Sequence, residues 1–352
     1  MRIAFIITAL ANQGSISVFK ELINQLILQG IALDLFYFDE KIENNFDCKK
    51  YRISFTTSLK DYNYDVVHST GIRPDLYVWL NKKKFPKKTK FITTIHSFIR
   101  EDFNNEYNWF VSTLASNLWY SIMSAHDRVA VLTNDAKFYY SKLLSSPIHV
   151  VNNGRTCISN NDIATEDEVL LREIASKFKI LGTHAKISKI KGLNQVLDAL
   201  VKLTDYAFVV IGQGKDLDEL KAQALRLGVK DRCFFLGFRT NITPFFRFYD
   251  IYVMPSMSEG LPMALIEAVA NKVVCLCSNI PTFKEIFSEE EVMKFELGNV
   301  DDFIEKVILL EDKQLKEQMI PSAYEKYLSS YRAEVMANNY LKQYKEMCAT
   351  KE

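Results

Sequence analysis

The sequence lacks the patterns of a membrane-spanning protein, a disulfide scaffold or a zinc-binding protein. No apolar run approaches the roughly 20 residues that a membrane-spanning helix needs. The six cysteines form no CxxC pair and no zinc-site spacing, so we interpret them as reduced core thiols of a cytoplasmic protein. Repeats and low-complexity tracts are absent. The formal net charge of +1 gives no general reason to expect a nucleic acid partner.

Two common catalytic patterns are missing as well. The loop after the first apolar run lacks the GxGxxG spacing by which NAD-dependent oxidoreductases hold a pyrophosphate. No Asp-x-Asp follows directly on a predicted strand, and no His/Asp cluster offers the ligands of a divalent metal. We therefore expect neither a nicotinamide cofactor nor a metal ion.

Alternating strands and helices are what the sequence does contain. Its 352 residues, 48% hydrophobic and 25% charged, fit a globular chain of two domains. Short apolar runs followed by helical patterns predict parallel strands covered on both faces. The first run resembles a secretory signal, but the helical pattern after Gly14 favours a buried strand. Strands are predicted at 3–9, 31–38, 65–69, 91–96, 127–133 and 148–154, and again at 178–186, 207–212, 233–238, 251–256 and 273–277.

This alternation predicts an α/β fold of two doubly wound, Rossmann-like domains that face each other across a cleft. The first domain is expected at 1–153 and the second at 154–330, with a polar linker at 159–168. The last helix, within 331–352, is expected to pack back on the first domain. Ligands of such sheets bind beyond the carboxyl ends of the strands, so the functional residues are expected there.

The segment 255–267, PSMSEGLPMALIE, carries the most specific chemical pattern. It follows a predicted strand, and Pro262 suits the first turn of the next helix. The amides and positive dipole end of a helix N-terminus are a seat for phosphate. Glu259 in the loop and Glu267 two turns further on can accept the vicinal hydroxyls of a sugar or a ribose.

Framed as SEGLPMALIEA, Glu259 and Glu267 resemble the EX7E signature of glycosyltransferase family 4, whose members have the GT-B fold. The resemblance implies a hexosyltransferase-type enzyme that moves a hexose or N-acetylhexosamine from a nucleotide-sugar, with retention of configuration and without a metal. Family frequency favours a UDP-sugar over a GDP-sugar. The implied acceptor is a glycan or a polyprenyl-diphosphate-linked glycan, as in O-antigen, capsule or lipopolysaccharide assembly at the cytoplasmic side of the membrane.

The same resemblance implies donor-binding residues. HAKISKIKGL is similar to the family's phosphate motif: Lys191 matches its lysine, and Lys186 stands where arginine is usual. Both ammonium groups would stabilise the leaving diphosphate, although Lys186 lacks the two-pronged geometry of arginine. The other donor-binding residues implied are Gly14, Gly212, Gly214, Gly260, Leu261, Pro262, Met263 and Glu267.

Histidines complete the expected catalytic set. His96 closes the strand 91–96 and is similar to a family histidine that contacts the transferred sugar and supports catalysis. It joins Glu259, Lys186 and Lys191 as an expected catalytic residue. We interpret His68 and His184 as structural. Asn153-Gly154 resembles the family's turn between the domains and is interpreted as a hinge.

The expected mechanism is front-face transfer, because no carboxylate stands out as a nucleophile. In that mechanism the departing phosphate helps to deprotonate the acceptor hydroxyl. Two other functions stay open: a non-catalytic nucleotide-sugar binding module, which has no need of His96, and a membrane-associated scaffold, which needs neither His96 nor Glu267. Turnover of a radiolabelled UDP-sugar distinguishes an enzyme from both.

A basic loop at Lys82–Lys88 precedes an aromatic-rich helix predicted at 107–125. Together they are candidates for contact with an anionic membrane surface, which would make the protein a peripheral membrane protein. The alternative is a solvated loop beside a helix of the core. The sequence alone does not decide between these interpretations.

Overall fold

The computed structural model describes residues 1–11, 14–59, 63–157 and 162–349, except for the side chains of residues 105 and 106. It divides the chain into two compact units. Unit 1 consists of Met1–Thr156 together with Ser330–Glu352, and unit 2 is Cys157–Ser329. Part of the sequence-predicted linker, residues 159–161, lies outside the described residues.

Unit 1 is built on a seven-stranded sheet in which every described pairing is parallel. The strand order is β3-β2-β1-β4-β5-β6-β7, so the first strand lies inside the sheet and the chain winds outward from it in both directions. The strands are β1 Arg2–Leu10, β2 Ala32–Ile42, β3 Lys49–Arg52, β4 Val66–Ser69, β5 Lys90–Thr94, β6 Arg128–Val131 and β7 Ile148–Val150. The helices are α1 Gly14–Leu28, α2 Ile72–Asn81, α3 Ile99–Glu106, α4 Trp109–Met123 and α5 Asn134–Ser141, and a 3₁₀ turn covers Lys82–Lys84.

The continuous apolar runs are strands because helices cover both faces of the sheet. Strand β1 is buried along nearly its whole length, pairs with β2 and β4, and carries the segment that resembles a secretory signal. Helix α1 presents Val18, Leu22 and Leu26 to the core, at the spacing of one helix face.

Unit 2 has a six-stranded parallel sheet of order β10-β9-β8-β11-β12-β13. Its strands are β8 Lys179–His184, β9 Tyr206–Ile211, β10 Cys233–Gly237, β11 Ile251–Met254, β12 Cys275–Ser278 and β13 Met293–Phe295. Its helices are α6 Thr165–Ala175, α7 Asn194–Leu200, α8 Leu217–Arg226, α9 Met263–Ala270, α10 Pro281–Ile286, α11 Val300–Leu309 and α12 Lys313–Lys326. Its 3₁₀ turns are Lys189–Lys191, Lys230–Arg232 and Thr243–Phe248. The two doubly wound α/β domains predicted from the sequence are confirmed.

The last helix, α13 (Ala333–Ala349), follows a π turn at Tyr327–Tyr331 and packs on α1 within unit 1. Its buried Tyr344 and Tyr340 reach the sheet, where Tyr344 Oη lies 2.6 Å from His68 Nδ1 and Tyr340 Oη lies 2.9 Å from Thr94 Oγ1. His68 Nε2 lies 2.7 Å from the same threonine hydroxyl. Both ring nitrogens of His68 are thus hydrogen bonded inside the core, and burial holds its pKa well below the ordinary value. This is the geometry of a structural histidine.

Asp75 ties α2 and α4 to the sheet from a fully buried position. Its carboxylate accepts hydrogen bonds from Ser69 Oγ and Thr93 Oγ1, both at 2.7 Å, and from Trp119 Nε1 of α4 at 2.8 Å. A buried carboxylate is tolerated when several donors satisfy it. These bonds fix where α4 lies on unit 1.

Candidate functional site

The two central strands of the unit 2 sheet mark the expected ligand position. Strand β8 pairs with β9 on one side and with β11 on the other, and the chain winds outward from β8 in both directions. The carboxyl ends of β8 and β11 therefore form the switch point at which doubly wound sheets bind ligands. The loop after β8 carries Lys186 and Lys191, and the loop after β11 carries Glu259.

Lys191 and Glu259 form an ion pair at this switch point. Lys191 Nζ donates to Glu259 Oε1 at 2.6 Å, and the two side chains are 22% and 10% exposed. The backbone of Glu259 is also held in place, because Thr282 Oγ1 donates a hydrogen bond to its carbonyl oxygen at 2.9 Å. The structure thus brings together two of the four residues that the sequence predicted as catalytic.

Gly192 allows the lysine loop to lie against the loop after β11. Its φ of +63° is in the left-handed region, and a Cβ there would lie 2.0 Å from the carbonyl oxygen of Pro255. Nearby, the backbone amide of Met257 donates to Ile190 O at 2.8 Å. Only glycine meets both demands, so this residue positions Lys191 beside Glu259.

Glu267 lies in the second turn of α9 and contacts a histidine. Its Oε2 atom lies 3.2 Å from His184 Nε2, and each side chain is 13% exposed. His184 ends β8 and packs edge-on against Phe246. The sequence interpretation treated His184 as an ordinary structural residue and so missed this contact. Its signal was its place at the carboxyl end of a central strand.

The segment between the two glutamates leads into α9. The helix begins at Met263, and Pro262 is the residue before it rather than part of the first turn. Leu261 and Pro262 are buried, whereas Gly260 and Met263 are half-buried. The positive end of the α9 dipole therefore lies in the chain segment next to Glu259.

Gly212 and Gly214, which follow β9, contact the backbone on either side of Lys186. Lys186 is exposed, and within the described parts of the chain no ion pair of its side chain is found. A Cβ on Gly212 would lie 1.9 Å from Ala185 O, and one on Gly214 would lie 1.9 Å from Ile187 O. These glycines thus let the loops after β8 and β9 touch. Their contact with a donor stays a prediction.

In unit 1, His96 lies two residues beyond the end of β5. Asn153 Nδ2 lies 3.4 Å from His96 Nδ1, while His96 Nε2 and Asn153 Oδ1 are buried without a hydrogen-bond partner among the described residues. Burial lowers the pKa of His96 to about 4, so the ring is neutral at pH 7. Because the Asn153 amide nitrogen faces Nδ1, we expect the ring proton on Nε2, where Nε2–H is a hydrogen-bond donor without a partner among the described residues.

The two first-domain glycines singled out from the sequence differ in their packing. Gly14 is the first residue of α1, and a Cβ there would meet nothing within 4 Å. Residues 12 and 13 beside it lie outside the described part of the chain. Gly154, predicted as a hinge with Asn153, is packed against α13: its Cβ would lie 2.2 Å from Arg332 O. Among the residues that the structure describes, no group of three or more His, Cys, Asp or Glu side chains is arranged to hold a metal.

Comparisons with known proteins identify the family. The sequence model of "Glycosyl transferases group 1" matches residues 171–326, and that of "Glycosyltransferase Family 4" matches residues 18–156. The chain belongs to glycosyltransferase family 4. It is an enzyme of the transferase class, as its sequence predicted.

Named relatives and a solved structure agree with this assignment. The chain is 28% identical over 323 residues to the O-antigen biosynthesis glycosyltransferase WclY of Escherichia coli, covering 90% of each protein. It is 28% identical over 131 residues, 37% of this chain and 34% of the other, to the Escherichia coli UDP-Gal:alpha-D-GlcNAc-diphosphoundecaprenol alpha-1,3-galactosyltransferase. The fold matches the crystal structure of Anabaena HepE in complex with UDP-glucose, with a TM-score of 0.79 at 14% identity over 98% of this chain and 100% of the other.

Proposed function

We propose that this glycosyltransferase transfers a hexose or N-acetylhexosamine from a UDP-sugar, with retention of configuration, to a lipid-linked glycan during O-antigen or lipopolysaccharide assembly. The full-length similarity to an O-antigen glycosyltransferase supports the pathway. The similarity to an enzyme that uses a diphosphoundecaprenol-linked acceptor supports the acceptor class. The fold shared with a UDP-glucose complex is consistent with a UDP-sugar donor.

The observation that carries the proposal is the ion pair of Lys191 and Glu259 at the switch point of the unit 2 sheet. An ammonium group has three N–H donors, so Lys191 can keep its bond to Glu259 and also donate to a phosphate oxygen. Glu259 keeps a second carboxylate oxygen for a hydroxyl of the transferred sugar. Each of the two residues orients the other.

Glu267 has the corresponding role for the nucleotide. Glu267 contacts His184, and its carboxylate is proposed to accept hydrogen bonds from the ribose hydroxyls. The amides at the start of α9 and the ammonium group of Lys186 would receive the diphosphate. Lys186 suits this role because its side chain is exposed and forms no ion pair with the residues that the structure describes.

The proposed chemistry is front-face transfer. The acceptor hydroxyl oxygen bonds to the anomeric carbon as the bond from that carbon to the donor phosphate breaks, and the hydroxyl proton passes to the departing phosphate oxygen. Lys191, Lys186 and the α9 N-terminus stabilise the negative charge that develops on the diphosphate. In unit 1, the free Nε2–H of His96 is proposed to donate to a sugar hydroxyl, and no metal is expected to take part.

Turnover with a donor panel tests the proposal. The protein is incubated with radiolabelled UDP- and GDP-sugars and a short-chain polyprenyl-diphosphate-linked glycan, and the product linkage is read by NMR coupling at the anomeric carbon. We expect a product with the donor's configuration from one UDP-sugar. An inverted product, a covalent sugar trapped on Glu259, or tight donor binding without turnover would contradict it.

A further inference from the structure

Helix α4 presents its largest apolar side chains to solvent. Trp109, Phe110, Leu114 and Leu118 are 75%, 68%, 64% and 59% exposed. Positions 110, 114 and 118 follow one another at four-residue intervals and therefore share a helix face. The exposed residues form one continuous stripe, which we call the α4 stripe.

The first three turns of α4 have a polarity that is reversed relative to a surface helix of a water-soluble domain, whereas its last turn buries apolar side chains as usual. Ser112 and Ser116 are fully buried on its inner side, where their hydroxyls donate to backbone carbonyls of the same segment. No charged residue occurs between Asn108 and Ala125. A surface helix ordinarily buries its apolar face and shows charges to water. The reversal indicates that something apolar covers the α4 stripe.

Helix α2 extends this apolar surface and joins it to positive charge. It packs beside α4 and leaves Trp79 and Leu80 about half exposed. The 3₁₀ turn that follows is fixed to the C-terminal end of α4, because Lys82 Nζ donates to Ala125 O at 2.6 Å and to Asp127 Oδ1 at 3.0 Å. Exposed lysines continue from this turn: Lys83, Lys84, Lys87 and Lys88.

We propose that the α4 stripe inserts into the interface of an anionic lipid bilayer, with the exposed lysines in and after the 3₁₀ turn at the lipid headgroups. Exposed tryptophan and phenylalanine on a helix pair that also carries exposed lysines are the composition of an interfacial membrane contact. Within the described residues no helix is long and apolar enough to cross a membrane, so the contact is peripheral. The neighbouring α3 carries exposed Glu101 and Asp102, and apolar insertion rather than charge therefore dominates the binding.

This inference goes beyond the proposed reaction and does not depend on it. A lipid-linked acceptor would give the contact a purpose, but the exposure of α4 is independent of the acceptor. A second copy of the chain is the competing occupant. Membrane contact is favoured because lysines flank the stripe, whereas two copies meeting there would oppose like charges.

The position of the tryptophans makes the test direct. All three in the chain, Trp79, Trp109 and Trp119, lie on α2 and α4. Wild type and Trp109→Phe are mixed with phosphatidylglycerol–phosphatidylethanolamine vesicles whose acyl chains carry bromine, a short-range quencher. We expect strong quenching of wild-type fluorescence and weaker quenching in Trp109→Phe, in which Trp79 is the remaining half-exposed tryptophan. Absence of quenching in the wild type would overturn the inference.

Vesicle co-sedimentation supplies the matched comparison. Phe110→Ser with Leu114→Ser should lower the partition coefficient about tenfold or more, whereas Leu225→Ser, at a 61% exposed leucine of α8, should leave it unchanged. Circular dichroism confirms that the variants fold, and sugar transfer to a soluble acceptor should persist in them. Equal binding of all three proteins, or a shift from dimer to monomer without vesicle binding, would overturn the inference. If the wild type binds vesicles but transfers no sugar, the result counts against the proposed function and not against the membrane contact.

Discussion

Lys191 Nζ and Glu259 Oε1 are 2.6 Å apart, although 68 residues separate them in the chain. They meet because β8 and β11 are neighbours in the sheet and Gly192 lets the two following loops touch. Each side chain comes from a separate motif of the sequence, and the fold combines them in one site.

The first prediction concerns catalysis by this pair. Lys191→Met should lower kcat by about 10²–10³-fold, because it removes a donor aimed at the leaving phosphate. Steady-state kinetics with the UDP-sugar found by the donor panel measures the effect. Lys177→Met, which breaks only a surface pair with Glu173, is the control and should retain full activity.

The second prediction concerns Lys186, which stands where the family usually has arginine. Lys186→Arg supplies a bidentate phosphate contact and should lower the donor KM by about threefold. Lys189→Arg is the matched control on the same loop, since Lys189 pairs with Glu219 at 3.2 Å. If both arginine variants behave alike, Lys186 does not contact the diphosphate.

The third prediction concerns the backbone at Gly192. Gly192→Ala combines an unfavourable φ with a backbone clash, whereas Gly228→Ala has a similar φ of +70° and meets nothing within 4 Å. Gly228→Ala should lower the free energy of unfolding by about 1–2 kcal/mol. Gly192→Ala should lower it further and should also weaken UDP binding. Urea titration and calorimetry measure both. Equal costs with unchanged binding would contradict the positioning role.

The fourth prediction concerns pH. The pKa of His96 is lowered from 6.5 to about 4 in the folded protein, so between these values the unfolded chain binds more protons at this residue. The contribution of His96 to stability should therefore fall as pH drops through that window, and His96→Gln should reduce this loss. Denaturant titrations at pH 4.5 and 7 measure the difference; an identical pH slope in both proteins would contradict it.

The tautomer of His96 gives a fifth prediction. Asn153→Asp places a carboxylate beside Nδ1 and should raise the pKa of His96, since an opposite charge favours the imidazolium. Nitrogen-15 NMR of the ring reports both the pKa and the proton position. We expect protonated Nε2 in the wild type; a ring protonated on Nδ1 would contradict the assignment.

The sequence was informative where residue type and position act together. The apolar runs predicted the buried parallel strands. Strand β3 was not predicted, because its sequence KKYR is short and charged. It lies at the sheet edge, where pairing with β2 rather than burial makes it a strand. Motif spacing predicted Glu259, Glu267 and Lys191 as site residues, and their roles stay a prediction. His184 was missed, because a lone histidine has no spacing from which its contact with Glu267 can be predicted.

The exposure of α4 could not be predicted for a related reason. Its sequence, WFVSTLASNLWYSIM, is compatible with a core helix, and only the fold decides which face turns inward. Trp119 binds Asp75 and the last turn of the helix packs into the core, which together place Ser112 and Ser116 inside and Leu114 and Leu118 outside. A buried carboxylate on another helix is not visible in the periodicity of α4 itself.

The central claim is that Lys191 binds the terminal phosphate of the donor nucleotide beside Glu259. Calorimetry of UDP and UMP with the wild type and Lys191→Met tests it most directly, because the two ligands differ only in that phosphate. We expect the wild type to prefer UDP by about tenfold or more, and this preference to collapse in the variant while UMP affinity is retained. An unchanged ratio of UDP to UMP affinity in Lys191→Met would contradict the account.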